Sequence, residues 1–366
     1  MKTKFCILMF FSLLFIFQSK AQSTSNWSNQ YDEVGKFYDG LAWVKLDYKY
    51  GFVDQTGKKV TPLKYDFVGD FSEGLAMVMT GDFEGLEEPK CGFINKTGTE
   101  VIPLKYSKAE KFSEGLAMVV EGILGDALSG FIDKTGKVII PIQYEDAGNF
   151  SEGLAKIQLN ENWGFIDKTG KELVAPKYNS VGDFSEGMAV VSSGTSGVEK
   201  FGFIDKTGKE IIPLKYDYAG KISEGLASVS INDKYGYIDK TGAEIIHLQY
   251  EDASDFSEGI AAIAQNNYKY SFIDKTGKEV IASDYDYAGN FSEGLVMVRK
   301  GDYSSGKWGF IDKTGKVIIP LIYSETEPFA QGLARVKTDE NWFLINPKGE
   351  CVSGCKYAPT THLKAK

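Results

Sequence analysis

Apolar and polar positions alternate in short bursts along this chain, and each burst ends at a glycine or an acidic turn. The segment Leu154-Ala155-Lys156-Ile157-Gln158-Leu159 alternates with a period of two and predicts a strand. Asn160-Glu161-Asn162 supplies a turn, and Trp163-Gly164-Phe165-Ile166-Asp167 predicts the returning strand. Lys168-Thr169-Gly170 turns again, with the glycine in the left-handed position that closes a three-residue hairpin loop as a bulge. Glu172-Leu173-Val174 is a third short strand, and Pro176-Lys177-Tyr178 leads out. A polar connector, Asn179 to Glu186, then reaches the next glycine. The same order returns in units entered at Gly40, Gly74, Gly115, Gly153, Gly187, Gly225, Gly259, Gly294 and Gly332. Their period, about 34 to 41 residues, is that of a module too small to bury its own apolar face, so neighbours must stack.

The predicted fold is all-β: tandem three-stranded antiparallel meanders stacked as an open β-solenoid or superhelix. The alternative is a closed β-propeller, which needs a fourth strand per blade and normally about 40 to 45 residues. The shorter units fall below that length, although the connector is a possible source of the strand. Units gain length mainly between their first two strands, as from Met79 to Lys90 and from Arg299 to Lys307. These loops are expected to project from one side of the array. In the first strand, alanine and valine recur on one face (Ala76 and Val78, Ala117 and Val119). The intervening position carries Trp43, Met77, Met118, Lys156, Val190, Ser228, Ala262, Met297 and Arg335. Trp43, Met77, Met118 and Met297 make a candidate binding surface on that face, with burial under the connectors as the competing reading. The glycine of the second strand is read as a gap for an aromatic ring of a neighbouring unit.

Phe71-Ser72-Glu73-Gly74-Leu75-Ala76 and Gly130-Phe131-Ile132-Asp133-Lys134-Thr135-Gly136 recur throughout, and Trp-Gly stands at Trp163-Gly164 and Trp308-Gly309. It is softened at Tyr50-Gly51, Phe201-Gly202 and Tyr235-Gly236, and lost at Cys91-Gly92, Ser129-Gly130, Tyr270-Ser271 and Trp342-Phe343. From Tyr31 to Tyr357 the chain resembles the WG-repeat family of bacterial exported proteins. The resemblance implies an all-β repeat array, often extracytoplasmic, with no shared catalytic activity.

The N-terminus joins a basic start, Lys2 and Lys4, to an apolar run from Phe5 to Phe17 and small residues at Ser19 and Ala21. That order reads as a secretory signal over residues 1–21, cut near Ala21, and the run is too short to span a bilayer. A linker over 22–30, one nine-unit array over 31–357 and a tail over 358–366 follow. Removing a leader with three lysines takes the formal charge from −9 to −12. An acidic chain without a basic block disfavours nucleic acid and anionic lipid as partners. Cys351 and Cys355 are close enough to pair as a disulfide, and Cys91 reads as a small buried apolar residue.

The glutamates of Ser-Glu-Gly (Glu73, Glu114, Glu152, Glu186, Glu224, Glu258, Glu293) would line up along a stack. They read either as contacts for a cation or a sugar, or as partners of the repeated lysines Lys134, Lys168 and Lys206. Each Asp-Lys-Thr-Gly has one carboxylate, which suits a turn and is too few for calcium. The two histidines, His247 and His362, build no nucleophile–base pair, and the acidic loop with Glu84, Glu87 and Glu88 reads as solvated charge. No catalytic residue, metal ligand or cofactor site is assigned. The expected function is a non-enzymatic binding or scaffolding surface for another protein, with cell-envelope polysaccharide or peptidoglycan as the alternative ligand.

Overall fold

A computed structural model describes residues 26–81, 88–122, 125–195, 197–265, 267–339 and 341–355. The leader over 1–21, Glu84, Glu87, His362 and the tail from 356 lie outside the described residues. No helix among the described residues is long and apolar enough to cross a membrane.

Among the described residues the strands make nine separate antiparallel sheets, eight of four strands and one of three. Blade 3 shows the plan: Lys108–Ala109, Leu116–Glu121, Leu128–Asp133 and Val138–Tyr144, paired in chain order. The three long strands are those that periodicity predicts. The fourth comes from the connector, which donates a two-residue strand, and Ala109 pairs with Val119. The protein is therefore a nine-bladed β-propeller, and the open stack of three-stranded meanders is wrong. Unit length misleads because the innermost strand needs only two residues, so about 34 suffice for a blade.

The ring closes edge to edge. Tyr31, Val34, Ala42, Val44 and Val53 of the N-terminal region share one buried cluster with Leu344 of blade 9. Arg335 of blade 9 donates to Glu327 at 2.9 Å and to Glu33 of blade 1 at 2.8 Å. Lys36 donates to the Pro328 carbonyl at 2.9 Å, and the Gly354 amide donates to Ser28 Oγ at 3.2 Å.

Most joints between blades draw on the same motif, the exceptions being Ile222 in place of the second ring between blades 5 and 6 and the seam between blades 9 and 1. Phe131 of blade 3 meets Phe150 of blade 4 edge to face, with centroids 5.0 Å apart, and Phe165 meets Phe184 at 4.8 Å. Ser113 Oγ donates to the Phe150 carbonyl at 2.7 Å across the joint. Glu114 and Gly115 both have positive φ, 52° and 91°, which makes Ser-Glu-Gly-Leu a type I′ turn. That turn aims the Glu114 carboxylate at the next blade, where it accepts from the Gly153 amide at 3.0 Å and pairs with Lys168 at 3.0 Å. Glu73–Lys134, Glu152–Lys206, Glu186–Lys240, Glu224–Lys275 and Glu258–Lys313 repeat the pair. The glutamate row is thus an inter-blade clasp.

The glycine of the Trp-Gly position has a different cause from the one expected. A Cβ on Gly164 would lie 2.3 Å from the Val174 carbonyl oxygen and 2.7 Å from the Pro176 nitrogen. Both belong to the same blade's outer strand, which bulges there: Trp163 faces Tyr178 and Phe165 faces Val174. The gap is filled by bulged backbone, with no aromatic ring of a neighbour involved.

Candidate binding face and channel rim

Antiparallel order places the loops between the second and third strands of every blade on one face, and the glutamate–lysine clasps on the other. The loop face carries the length variation. Most of its loops are tied down by the residue that precedes the innermost strand, Asp32 and Glu251 among them, whereas Ser107 and Ser324 in blades 3 and 9 donate to strand carbonyls instead. Glu145 accepts from the Asn160 and Glu161 amides at 2.9 Å each, Asp217 from Asn232 at 2.7 Å, and Asp286 from Gly301 at 2.8 Å. Lys200 also pairs with Asp217 and Lys269 with Asp286. These lysines, followed by the loop amides, hold the two aspartates below the usual carboxylate range. At the loop tips stand three tyrosines, Tyr48, Tyr268 and Tyr303, exposed by 84, 63 and 92%.

The candidate surface residues fall in two places on the ring. Trp43, Met77, Lys156, Val190 and Met297 each lie beneath the connector eight residues earlier, where glycine leaves room for them. A Cβ on Gly35 would lie 2.3 Å from the Trp43 ring, and one on Gly289 3.1 Å from the Met297 methyl. Met118 is buried, 2% exposed. Trp43, Met77 and Met118 line adjoining recesses, the first and second sharing Tyr38 and Asp70 and the second and third sharing Glu110, while Met297 lines a recess over blades 6 to 8.

A recess at the channel rim was not anticipated. It has a volume of about 420 Å³ and spans blades 6 to 8, with Tyr218, Asp252, Asp255, Tyr270, Tyr287 and Asn290 in its walls. Tyr218 leans on Tyr235 with centroids 5.6 Å apart, and Tyr287 on Tyr270 at 5.9 Å. The Tyr270 hydroxyl donates to Asp252 Oδ2 at 2.6 Å. Burial raises the Asp255 carboxyl, with the Lys221 ammonium working against the shift. Burial and then the Asp255 charge raise the Tyr218 phenol. The signal for this recess was present in the sequence, at the first position of each innermost strand: Glu33, Phe67, Lys108, Asp146, Ser180, Tyr218, Asp252, Tyr287 and Glu325.

The other assigned positions are structural. Asp133 accepts from the Thr135 hydroxyl at 2.6 Å and from the Thr135 and Lys137 amides, and these bonds, the hydroxyl's first, hold its carboxyl below the usual range. Cys351 and Cys355 are joined as a disulfide, with Cα atoms 5.7 Å apart. Cys91 is a buried free thiol that burial pushes up to about 11. His247 is exposed and pairs with Glu244.

Nine segments match the sequence model of the WG containing repeat: residues 30–50, 50–82, 92–122, 130–163, 163–194, 201–235, 235–270, 270–303 and 308–342. Most run from the third strand of one blade to the second strand of the next, so the sequence repeat straddles a joint. No curated protein matches the chain. Among solved structures, a crystal structure of the eukaryotic initiation factor is similar in fold, with a TM-score of 0.58 at 11% identity, over 86% of this chain and 95% of that one. BamB from Moraxella catarrhalis aligns over 85% of this chain and 95% of its own, at 10% identity and a TM-score of 0.43. Kluyveromyces lactis Hsv2 aligns over 75% and 94%, at 8% identity and a TM-score of 0.39.

Proposed function

The chain belongs to the WG containing repeat family, and from that premise we propose that this propeller is an exported, non-enzymatic protein whose loop face holds another protein. The observation that carries the reading is the difference between the two faces. One is committed to the clasps that hold the ring together. The other carries the length variation and three loop-tip tyrosines, Tyr48, Tyr268 and Tyr303, on anchored loops. Tyrosine on an anchored loop offers a large amphipathic contact with little side-chain entropy to lose, which is why binding loops favour it.

The polysaccharide alternative calls for an exposed aromatic repeating with the module. At the first innermost position aromatics stand at Phe67, Tyr218 and Tyr287, while the other blades carry charged or small polar residues there. Affinity capture from the exported fraction of the source cell tests the reading, with the chain beside a Tyr48→Ala, Tyr268→Ala, Tyr303→Ala variant. The expected result is a protein held by the parent and lost from the variant, with neither retained on insoluble cell-wall polysaccharide. Equal capture by both, or retention on the polysaccharide, overturns it.

A further inference from the structure

The ring itself shows what an aromatic recess with carboxylates accepts at this rim. At the seam between blades 9 and 1, the Arg335 guanidinium lies 5.2 Å from the Trp43 ring and 4.6 Å from the Trp342 ring while it bonds Glu327 and Glu33. In blade 4, Lys156 lies 6.0 Å from the Trp163 ring and pairs with Asp183 at 3.1 Å. In both places a cation from the second strand fills the space between rings and acids, as the ring quadrupole favours.

The recess over blades 6 to 8 has the rings and the acids, and no ion pair is made to Asp255 among the described residues. The residues equivalent to Arg335 are Ser228 in blade 6, Ala262 in blade 7 and Met297 in blade 8; the first two are buried and too short to reach across, and Met297, which lines the recess, carries no charge. Tyr218, Tyr270 and Tyr287 supply the rings. Asp252 is satisfied by Tyr270 and by the Ala253 amide at 2.9 Å. Asp255 lies against Gly220, where a Cβ would be 2.9 Å from its Oδ1; its backbone carbonyl accepts from Ser254 Oγ at 3.3 Å, while its carboxylate accepts no hydrogen bond among the described residues. Lys221 offsets its charge, and Arg299 lies 5.9 Å from the Tyr287 ring and 5.4 Å from the Trp308 ring. The chain as a whole carries a formal charge of −9, so its overall field favours cationic partners.

We propose that the recess between Tyr218, Asp255 and Tyr287 is a site for a basic side chain, arginine or lysine, of a partner protein, laid on the tyrosine rings with its charge on Asp255. The site rests on the reading of the protein as a protein binder and adds the chemistry of what is bound. The occupant repeats what Arg335 does at the seam, supplied from outside. A sugar would also find rings and acceptors here, but it would leave the Asp255 charge uncompensated.

Titration calorimetry with hexa-arginine and with hexa-citrulline, its neutral isostere, tests the site. The expected result is binding of hexa-arginine, with hexa-citrulline weaker by about tenfold or more. Asp255→Asn and Tyr287→Ala should each weaken hexa-arginine by about tenfold. Glu210→Gln, which removes one charge from the exposed outer strand of blade 5, should stay within about twofold. Equal binding of the two peptides, or equal effects of Asp255→Asn and Glu210→Gln, overturns the proposal. So does an oligosaccharide of cell-wall composition that displaces the peptide and is itself lost with Tyr287→Ala. The two readings fail separately. Loop-dependent protein capture with Asp255→Asn inert on hexa-arginine removes the site and keeps the loop face. Charge-selective peptide binding with capture unaffected by the loop tyrosines does the reverse.

Discussion

Replacing Gly164 by alanine adds one methyl group where the structure has no space for it. Its Cβ would sit 2.3 Å from the Val174 carbonyl oxygen, 2.7 Å from the Pro176 nitrogen and 2.9 Å from the Ala175 carbonyl carbon. Ordinary contact begins at 3.4 Å, so the outer strand must retreat by about 1 Å along its bulge. The obstacle is backbone on every side, which no rotamer change relieves. Overpacking of this kind costs about 1–3 kcal/mol, and the retreat loosens Tyr178, now 5% exposed. Blade 7 shows the outcome. Ser271 stands at the equivalent position, and the outer tyrosine there, Tyr285, is half-buried, whereas Tyr106, Tyr144, Tyr216, Tyr250 and Tyr323 are buried. Guanidinium unfolding of the parent and Gly164→Ala, followed by fluorescence, should place the variant lower by that amount. Hydrogen exchange should quicken in Glu172–Tyr178 and hold elsewhere. An unchanged midpoint, within about 0.5 kcal/mol, together with unchanged exchange, would show that the bulge does not impose the glycine.

Phe131→Ala removes a fully buried ring and its edge-to-face contact with Phe150, and a thermal melt should report a loss of about 3–5 kcal/mol; under about 1 kcal/mol would deny the joint its aromatic core. Arg335→Ala leaves Glu33 and Glu327 facing each other across the seam, and a loss of about 2 kcal/mol in denaturant unfolding is expected because the pair is only partly buried. Glu73, Glu152, Glu186, Glu224 and Glu258 of the clasps and turn aspartates such as Asp133 and Asp205 are held below their ordinary ranges, so their contribution is complete above the unfolded values, about 3.9 and 4.3. It fades as pH falls through the lower folded values, and melting temperatures should therefore drop below about pH 4; a flat profile down to pH 2 would refute this. Cys91, its thiol pushed up to about 11 by burial, should resist iodoacetamide at pH 8 in the native state and react on unfolding, whereas native labelling at the rate of a free thiol contradicts the packing.

Much of the blade could be read from residues because its signals are local. The alternation of Leu154 to Leu159 and the glycine of Lys168-Thr169-Gly170 fix two hairpins without reference to anything distant. The innermost strand gives no such signal. Two residues, such as Asp146–Ala147, cannot show a period, and their pairing with Gln158 and Ile157 is a tertiary fact. Closure is equally remote, since it depends on nine small rotations adding to a full circle. The rim recess is not legible in the pattern because its walls, Tyr218, Asp252 and Tyr287, begin two-residue strands too short to show a period. A pattern at a spacing of eight was present all the same. Gly35 precedes Trp43, Gly69 Met77, Gly148 Lys156 and Gly289 Met297, whereas Ser254 precedes the small Ala262 and Glu327 precedes its ion-pair partner Arg335.

Closure also explains why variation is sorted between the faces. A clasp couples two successive blades, so changing its geometry in one copy would rotate every later blade and spoil the seam. Glu114, Lys168 and Gly153 therefore recur with little freedom. A loop between the second and third strands couples to no other blade's position and can lengthen without cost to the ring. The clasp rule bends next to the seam. Blade 1 uses Asp39, which pairs with Lys96 at 3.1 Å, and blade 9 replaces the glutamate with Gln331 while keeping the left-handed turn, φ 53°. There the inter-blade charge passes to Arg335, which joins Glu327 of its own blade to Glu33 of the first. The contact moves from the clasp to the rim, beside Trp43. The last joint is thus made by a cation in an aromatic recess, the arrangement that blades 6 to 8 leave open to a partner.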